Sequence, residues 1–376
     1  MQFRNFDQDT KISALGFGFM RLPLIDGKEK NINMDKTEQL FLQAIQQGIN
    51  YFDTAYVYHD EYSEQALGAL VKKYTLRDKI YIADKLPAFS IPDDYDPYTL
   101  FETSLKRLQT DYIDFYLLHN MNLKRFETLK QKGIFEFMDT IKKEKKVHRM
   151  GFSFHDRYEN FVEILNSYPW DFCQIQLNFM DTDYQAGIKG LELAAKKGIP
   201  VIIMEPLKGG QLTNSDAYIE KLKEKYNLEN EKIAKIALDF LFNRKEILTV
   251  LSGMNESMQI KENTQTASSM YPGEMPENEK LFLQDLKEYY RKKDLIPCTG
   301  CGYCIKNCPQ HIEIPEVFER YNNALMYGNI EFNRKQYDEF YSTKECIACE
   351  ECMKNCPQHL PIPHLFDKVY QYLHKK

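Results

Sequence analysis

The strongest constraint on this chain is a cysteine pattern that occurs twice in its last eighty residues. The pattern C-x2-C-x2-C-x3-C-P appears once and then again forty-eight residues later, and both copies continue with Gln-His. The first copy contains Cys298, Cys301, Cys304 and Cys308, and the second contains Cys346, Cys349, Cys352 and Cys356. Four thiolates at this spacing suit a [4Fe–4S] cluster, because each iron of the cluster needs one soft anionic ligand.

Two other chemistries for these cysteines, a structural zinc site and a disulfide framework, fit the pattern less well. Zinc sites usually combine two pairs of ligands across a longer spacer, whereas here a third cysteine follows at the same short spacing. Disulfides are typical of secreted chains, and this sequence begins without an apolar signal region. In bacterial two-cluster proteins the fourth cysteine of each run binds the other cluster. That arrangement predicts two ligand sets: Cys298, Cys301, Cys304 and Cys356 for one cluster, and Cys346, Cys349, Cys352 and Cys308 for the other.

Composition places the chain among ordinary soluble globular proteins. At 376 residues, 43% of them apolar, it is long enough for one large domain and a smaller appended one. The formal net charge of −6 argues against a nucleic-acid-binding surface. No apolar run approaches the ~18–20 residues needed to span a membrane. Because the paired motifs need reduced thiolates, we expect a cytoplasmic protein. From the net charge and the short apolar runs, we expect no nucleic-acid or membrane partner.

Short β-type runs alternate with amphipathic helical stretches from the start of the chain to about residue 270, which predicts an α/β fold of the (β/α)8 TIM-barrel type. The predicted strands are Leu15–Met20, Asn50–Asp53, Ile80–Asp84, Ile113–His119, Val147–Ser153, Phe172–Gln176, Pro200–Met204 and Leu248–Ser252. The predicted helices include Lys36–Gln47, Ser63–Lys73, Thr99–Leu108, Ile134–Lys143 and Gly187–Lys197. A doubly wound open sheet is the competing fold, but no G-x-G-x-x-G motif follows the first strand. We therefore expect a barrel at residues 1–271, a helical linker at 272–296 and a ferredoxin-like cluster domain at 297–376.

Polar residues end three consecutive predicted strands. Asp53 ends the second strand, Lys85 follows the third and His119 ends the fourth, while Tyr58 comes five residues after Asp53. The C-terminal strand ends of a parallel barrel meet at one face, and active sites are built there. Any one of these residues alone is explained by contact with solvent. The set of a carboxylate, an ammonium, an imidazole and a phenol predicts a catalytic site.

Residues 1 to about 270 resemble the aldo-keto reductase superfamily, and the motifs that carry the resemblance are spread along the chain. They are Phe52-Asp53-Thr54-Ala55-x-x-Tyr58, Ser63-Glu64 with Leu67-Gly68, Lys85, Ser104-Leu105-x-Arg107-Leu108-x-x-Asp111-Tyr112-x-Asp114, Leu117-Leu118-His119, Gly151-Phe152-Ser153, Gln174 and Met204-Glu205-Pro206-Leu207-Lys208-Gly209-Gly210. Together with the cysteine-rich tail, the chain resembles the iron–sulfur-fused branch of that superfamily. The resemblance implies that residues 1–15 form a hairpin closing the barrel floor. It also implies a catalytic tetrad of Asp53, Tyr58, Lys85 and His119.

The chemistry of the tetrad suits the reduction of a carbonyl group, in which carbon receives a hydride and oxygen receives a proton. A free tyrosine has a pKa of ~10 and is a weak acid, but a neighbouring ammonium lowers that pKa. Lys85 would supply the ammonium, Asp53 would hold it in place, and Tyr58 would donate the proton. His119 would orient the substrate oxygen through a hydrogen bond.

The resemblance also implies a nicotinamide cofactor at the barrel mouth. The matched positions are Ser153 and Gln174 for the carboxamide, Met204 for the ring, Leu207, Gly209 and Gly210 for the pyrophosphate, and Glu262 and Asn263 for the adenine. Phe154 follows Ser153 where relatives more often have asparagine, and this removes one amide contact. NADP(H) is favoured over NAD(H) on family grounds, although residues 252–259 contain no cation for a 2′-phosphate.

These observations predict an NAD(P)H-dependent oxidoreductase that reduces a small-molecule carbonyl or oxidises the matching alcohol. The alternative is an electron-transfer protein whose clusters exchange electrons with a redox protein. In that case the barrel would dock the cluster domain or supply electrons to the clusters. A hydride carries two electrons, whereas a [4Fe–4S] cluster passes one at a time, so coupling the two would require a splitter such as a flavin. The sequence contains no flavin motif and leaves a flavin at the barrel mouth open. A non-catalytic scaffold is disfavoured because the tetrad is intact.

Overall fold

Eight parallel strands close into a barrel in this computed structural model, which describes residues 1–89 and 91–375. The barrel strands are β3 (Leu15–Gly18), β4 (Tyr51–Asp53), β5 (Tyr81–Leu86), β6 (Ile113–Met121), β7 (Val147–Phe154), β8 (Phe172–Gln176), β9 (Val201–Met204) and β10 (Ile247–Ser252). Neighbours in the chain are neighbours in the barrel, and β10 pairs with β3 to complete the ring. The predicted barrel is confirmed, with every predicted strand present and Phe172–Gln176 matching at both ends.

Helices follow the barrel strands in the chain, as the alternating pattern predicts. They are α1 (Met34–Gln46), α2 (Ser63–Lys73), α3 (Pro97–Leu108), α4 (Leu123–Gln131), α5 (Ile134–Lys143), α6 (Tyr158–Asn166), α7 (Gly187–Lys196), α8 (Ala217–Lys225), α9 (Ile233–Phe242) and α10 (Ser257–Ser269). Helix α1 begins earlier than predicted because the Asn33 side chain caps it by accepting a hydrogen bond from the backbone N–H of Lys36. Helix α3 likewise begins early, since Asp96 caps it and Pro97 suits its first turn.

Helices α2 and α3 approach each other closely at Gly68. A Cβ atom on this residue would lie 2.6 Å from backbone atoms of Arg107 and Leu108, so the contact requires glycine. Beside it, Arg107 donates a 3.0 Å hydrogen bond to the buried carboxylate of Glu64. Several residues of the predicted motifs therefore serve helix packing behind the barrel wall.

A short hairpin precedes the barrel and fills its N-terminal end. Its strands, β1 (Phe3–Asn5) and β2 (Lys11–Ser13), pair antiparallel. The Phe6 ring packs edge-on against Phe115 of β6 at a centroid distance of 5.3 Å, and Ile12 is fully buried among the inner barrel residues. The hairpin expected from residues 1–15 is thus present.

Contacts divide the chain into two compact units. The first contains Met1–Pro206 and Leu238–Met275, and the second contains Leu207–Ala237 and Pro276–Lys376. The segment at 207–237 therefore groups with the C-terminal part of the chain, an association that the sequence did not predict. The domain limits at residues 271 and 297 stay predictions.

The second unit is helical. After α8 it contains α11 (Glu277–Lys292), α12 (Ile314–Tyr327), α13 (Ile330–Phe340), α14 (Glu351–Lys354) and α15 (Ile362–Leu373). Helix α8 packs on α11 through the stacked rings of Tyr218 and Tyr289, whose centroids are 4.3 Å apart. The core around the cysteines is formed by residues of α12, α13 and α15, including Phe318, Tyr337 and Val369. Within the described ranges, no helix is long and apolar enough to cross a membrane.

Candidate active site and cysteine-lined cavities

Lys85 is the centre of a buried polar group at the C-terminal ends of the barrel strands. Its Nζ atom donates to Asp53 Oδ1 at 2.6 Å, to the backbone carbonyl oxygen of Thr54 at 2.7 Å and to the Tyr58 hydroxyl at 3.4 Å. The side chain is fully buried. An ammonium has three N–H donors, and each has an acceptor here, so the charge is fixed in position beside the phenol.

Asp53 supplies the countercharge to this ammonium. It ends β4 and lies in register with Ala83 of β5, two residues before Lys85. Burial raises the pKa of Asp53 above its ordinary value, and the Lys85 ammonium at 2.6 Å opposes that rise. The carboxylate and the carbonyl oxygen of Thr54 therefore anchor Lys85 from one side and leave its third donor for Tyr58.

Tyr58 precedes a short turn with a strained backbone. Three successive residues have positive φ angles, namely His59 (51°), Asp60 (50°) and Glu61 (74°). Left-handed backbone costs a residue with a side chain roughly 1–2 kcal/mol, so surrounding contacts must hold the turn. One of them is a 3.1 Å hydrogen bond from the backbone N–H of Leu22 to the Nε2 atom of buried His59. This bond ties the turn after Tyr58 to the loop after β3.

His119 faces the phenol from the neighbouring part of the mouth. Its ring packs edge-on against Tyr58 at a centroid distance of 5.7 Å and against Phe89 at 4.9 Å. Burial, together with the nearby Lys85 cation, holds the pKa of His119 well below its ordinary value. The imidazole is therefore neutral near pH 7 and carries a single N–H donor.

Ser153 and Gln174 lie side by side on β7 and β8, and both are buried. Ser153 Oγ accepts a 2.8 Å hydrogen bond from the backbone N–H of Asn120, and Gln174 Nε2 lies 3.5 Å from Met204 Sδ. Gln174 Oε1 is buried and has no hydrogen-bond partner in the part of the chain that the structure describes. The structure thus places Ser153, Gln174 and Met204 next to one another. The Oε1 atom of Gln174 can accept a hydrogen bond from the amide of a ligand.

The remaining residues predicted to bind the cofactor fall in two places. Glu262 and Asn263 lie in α10 of the first unit, with Asn263 buried. Leu207, Gly209 and Gly210 belong to the second unit, where a 3₁₀ turn gives the two glycines φ angles of 66° and 94°. These left-handed angles explain the choice of glycine at both positions.

Two residues at the tetrad were not singled out from the sequence. Thr54 acts through its backbone carbonyl, for which residue type gives no signal. Asn120 follows His119 and has a left-handed φ of 56°. The preference of asparagine for this conformation is a weak sequence signal, because it does not distinguish a turn residue from a binding residue.

In the second unit, four cysteines line each of two cavities. The first cavity is lined by Cys298, Cys301, Cys304 and Cys356. The second is lined by Cys308, Cys346, Cys349 and Cys352. The last cysteine of each motif therefore lies with the first three of the other, which is the grouping expected for crossed ligation.

Among the described residues, the cysteines of each cavity are not arranged like the ligands of a single zinc ion. Zinc lies about 2.3 Å from each sulfur ligand and would draw four sulfur atoms towards one point. Across residues 1–89 and 91–375, no three His, Cys, Asp or Glu side chains surround a single point in that way. Burial and the neighbouring cysteines raise the pKa of the Cys304 thiol well above its ordinary value. A bound cation would be required to hold such a thiol as thiolate.

The two cavities differ in their exposure to solvent. Cys304 in the first and Cys352 in the second are both buried. Cys349, however, is exposed, and Ile347 beside it keeps 61% of its surface accessible. The lining of the second cavity therefore includes one cysteine that solvent reaches.

Comparisons with known proteins agree with this architecture. The model of the aldo/keto reductase family matches residues 14–275, and that of a 4Fe-4S dicluster domain matches residues 297–360. An L-galactose dehydrogenase of Arabidopsis thaliana is 26% identical over 282 residues, which cover 69% of this chain and 86% of that protein. Two solved structures share the barrel fold and each match covers 76% of this chain and 96% of the other. They are an aldo-keto reductase from Bacillus halodurans in its holo form (TM-score 0.62, 24% identity) and one from Klebsiella pneumoniae in complex with NADPH (TM-score 0.60, 20% identity).

Proposed function

The chain belongs to the aldo/keto reductase family and carries a 4Fe-4S dicluster domain, and we propose that its barrel reduces a small-molecule carbonyl or oxidises the matching alcohol with a nicotinamide cofactor. The observation that carries this proposal is the contact of one buried ammonium with both a carboxylate and a phenol. Lys85 Nζ lies 2.6 Å from Asp53 and 3.4 Å from the Tyr58 hydroxyl. The mouth of a barrel is where enzymes with this fold place their catalytic groups.

The tetrad would handle the proton of this reaction. A nicotinamide at the barrel mouth would supply the hydride to the carbonyl carbon. Tyr58 gives its proton to the carbonyl oxygen, and Lys85 stabilises the phenolate that remains. Asp53 keeps the ammonium in place, while neutral His119 donates a hydrogen bond to the same oxygen and orients it. In alcohol oxidation the same residues act in reverse, and Tyr58 then accepts the proton.

NADP(H) is the cofactor we favour over NAD(H). The Klebsiella pneumoniae relative was solved with NADPH, and buried Ser153 and Gln174 offer polar atoms for a carboxamide. The segment at 252–259, which contains no lysine or arginine, argues in the other direction. Measuring activity with both dinucleotides decides between them.

We also propose that the second unit holds two [4Fe–4S] clusters, one in each cysteine-lined cavity. The crossed grouping of the cysteines around the two cavities supports this. Eight thiolates of this kind persist in a reducing compartment, which favours a cytoplasmic location.

Electron transfer is a second candidate function, and the exposure of Cys349 favours it. One-electron exchange with a protein partner needs a cluster close to the surface, and this loop brings a cluster ligand there. Linking such a step to hydride chemistry would require a flavin or another group that divides an electron pair.

The test uses the full-length protein purified without oxygen. Iron, sulfide and released flavin are measured first, and oxidation of NADPH and NADH is then followed with a panel of aldehydes and ketones. We expect carbonyl-dependent oxidation that Tyr58→Phe abolishes. The reductase proposal fails if the panel stimulates no oxidation, and reduction of the iron–sulfur absorbance by NAD(P)H alone would then favour electron transfer.

A further inference from the structure

Asn120 is held rigidly beside the tetrad by its backbone. It follows His119 at an irregularity in the pairing of β6 with β7, between Leu118 and Met121. Its N–H donates to Ser153 Oγ at 2.8 Å, and its carbonyl oxygen accepts from Arg125 Nη1 at 3.0 Å. Both backbone polar groups are thus satisfied, and the position of the residue does not depend on its side chain.

The side chain of Asn120 is in a different situation. The residue is only 1% exposed, and neither Nδ2 nor Oδ1 has a hydrogen-bond partner within residues 1–89 and 91–375. Because both amide atoms lack a partner, exchanging the assigned positions of the nitrogen and the oxygen would still leave both without one. Buried donors and acceptors in proteins nearly always find partners, so an amide with two unmet atoms indicates a ligand or a bound water.

We propose that the Asn120 side chain binds the carboxamide of the nicotinamide, an inference that rests on the proposed function. A side-chain amide and a carboxamide each present a donor beside an acceptor, so the two can form a pair of reciprocal hydrogen bonds. Asn120 contacts Ser153, which lies in register with Gln174, so the three residues form one row across β6, β7 and β8. The unmet Oε1 of Gln174 then accepts the second N–H of the carboxamide.

This assignment accounts for the substitution after Ser153. Phe154 occupies the next position in the strand and is fully buried, so it offers no amide. The neighbouring strand β6 supplies a side-chain amide instead, that of Asn120.

The competing explanation is that asparagine occupies position 120 only because it tolerates the backbone conformation required there. Its φ of 56° lies in the left-handed region that asparagine and glycine tolerate best. Asn120→Gly separates the two explanations, because glycine adopts the same backbone conformation and removes the amide. Loss of a buried amide that has no protein partner should leave the melting temperature unchanged or raise it.

The experiment measures dissociation constants by calorimetry for the preferred dinucleotide and for its 3-acetylpyridine analogue, in which a methyl group replaces the carboxamide nitrogen. The wild type should bind the natural dinucleotide at least tenfold more tightly than the analogue. Asn120→Gly should weaken natural dinucleotide binding by about ten- to a hundredfold, weaken analogue binding less, and so lower the ratio. Asn120→Asp, which tolerates the same backbone and lacks the amide donor, should give the same direction of change.

Asn122→Ala is the matched control, since it removes an asparagine amide on the same loop. Asn122 Oδ1 accepts a 2.8 Å hydrogen bond from the Arg125 backbone N–H as the cap of α4. Its loss should lower the melting temperature and leave the ratio of dissociation constants unchanged. An unchanged ratio in Asn120→Gly, or an effect confined to the KM of the carbonyl substrate, would overturn the inference while the proposed function stands. Failure of the wild type to bind either dinucleotide would refute both.

Discussion

Lys85→Met removes the ammonium from beside the Tyr58 hydroxyl. At an effective dielectric constant of about 20, a unit charge 3.4 Å away stabilises a phenolate by about 5 kcal/mol. The Asp53 carboxylate, 2.6 Å from the ammonium, offsets part of this because it carries the opposite charge. We therefore expect a net loss of about 3 kcal/mol in transition-state stabilisation, which is roughly a hundredfold in kcat.

The same substitution has a folding cost that must be separated from this effect. It leaves the buried Asp53 carboxylate without a cation, which typically destabilises a protein by about 3–5 kcal/mol. The double variant Lys85→Met/Asp53→Asn removes both charges and should recover much of that stability. Its kcat should nevertheless stay low, because the phenolate is still unassisted.

The assay measures kcat from nicotinamide absorbance with saturating cofactor and carbonyl substrate, beside circular dichroism and calorimetric binding. Lys73→Met is the control, since it removes a lysine from an exposed ion pair with Glu38 and should change stability by less than about 1 kcal/mol. The reasoning is refuted if the folded double variant binds cofactor normally and keeps more than about a tenth of the wild-type kcat.

Three further predictions follow from the two sites. Tyr58→Phe should reduce kcat by at least about a hundredfold with little change in cofactor affinity, as stopped-flow kinetics and calorimetry would report; a variant with a tenth of normal turnover contradicts the proton-donor role. Cys356→Ser should deplete the cluster of the first motif, seen as lost iron and altered electron paramagnetic resonance, whereas loss confined to the second motif contradicts crossed ligation. The pKa of His119 is lowered in the folded protein, so below pH ~6.5 the unfolded chain takes up a proton that the folded protein does not. The free energy of unfolding should therefore decrease as the pH is lowered below ~6.5. Denaturation at several pH values should show that the free energy of unfolding depends less on pH in His119→Gln than in the wild type. Equal pH dependence in the two proteins would argue against His119 as the cause.

The barrel was predictable because two levels of the sequence agree. Apolar strand runs and helical periodicity alternate in the order that a parallel barrel requires, and parallel barrels gather their C-terminal strand ends. Once Asp53, Lys85 and His119 were located at such ends, their convergence followed from the architecture. The crossed grouping of the cysteines was predictable because the spacing matches bacterial two-cluster proteins, in which the fourth cysteine of each run binds the other cluster.

Other features depend on contacts that a local pattern does not encode. The left-handed turn at 59–61 contains no glycine, so nothing in its composition announces its backbone. Asn120 lies at a pairing irregularity between β6 and β7, which neither strand shows by its own sequence. The association of residues 207–237 with the C-terminal unit is a matter of tertiary packing, on which sequence periodicity is silent.

The interleaved cysteine cavities also set an order of events during synthesis. Cys356 completes the first cavity, and the second needs Cys346, Cys349 and Cys352, so neither has all its cysteines until translation passes residue 352, and the first must wait for residue 356. At about 5–20 residues per second, the forty-eight residues between the copies take roughly 2–10 s to synthesise. During that interval the first motif emerges from the ribosome as four thiols without a complete site. A premature stop anywhere from residue 309 to residue 345 would leave no intact site, so the two copies cannot act as spares for each other.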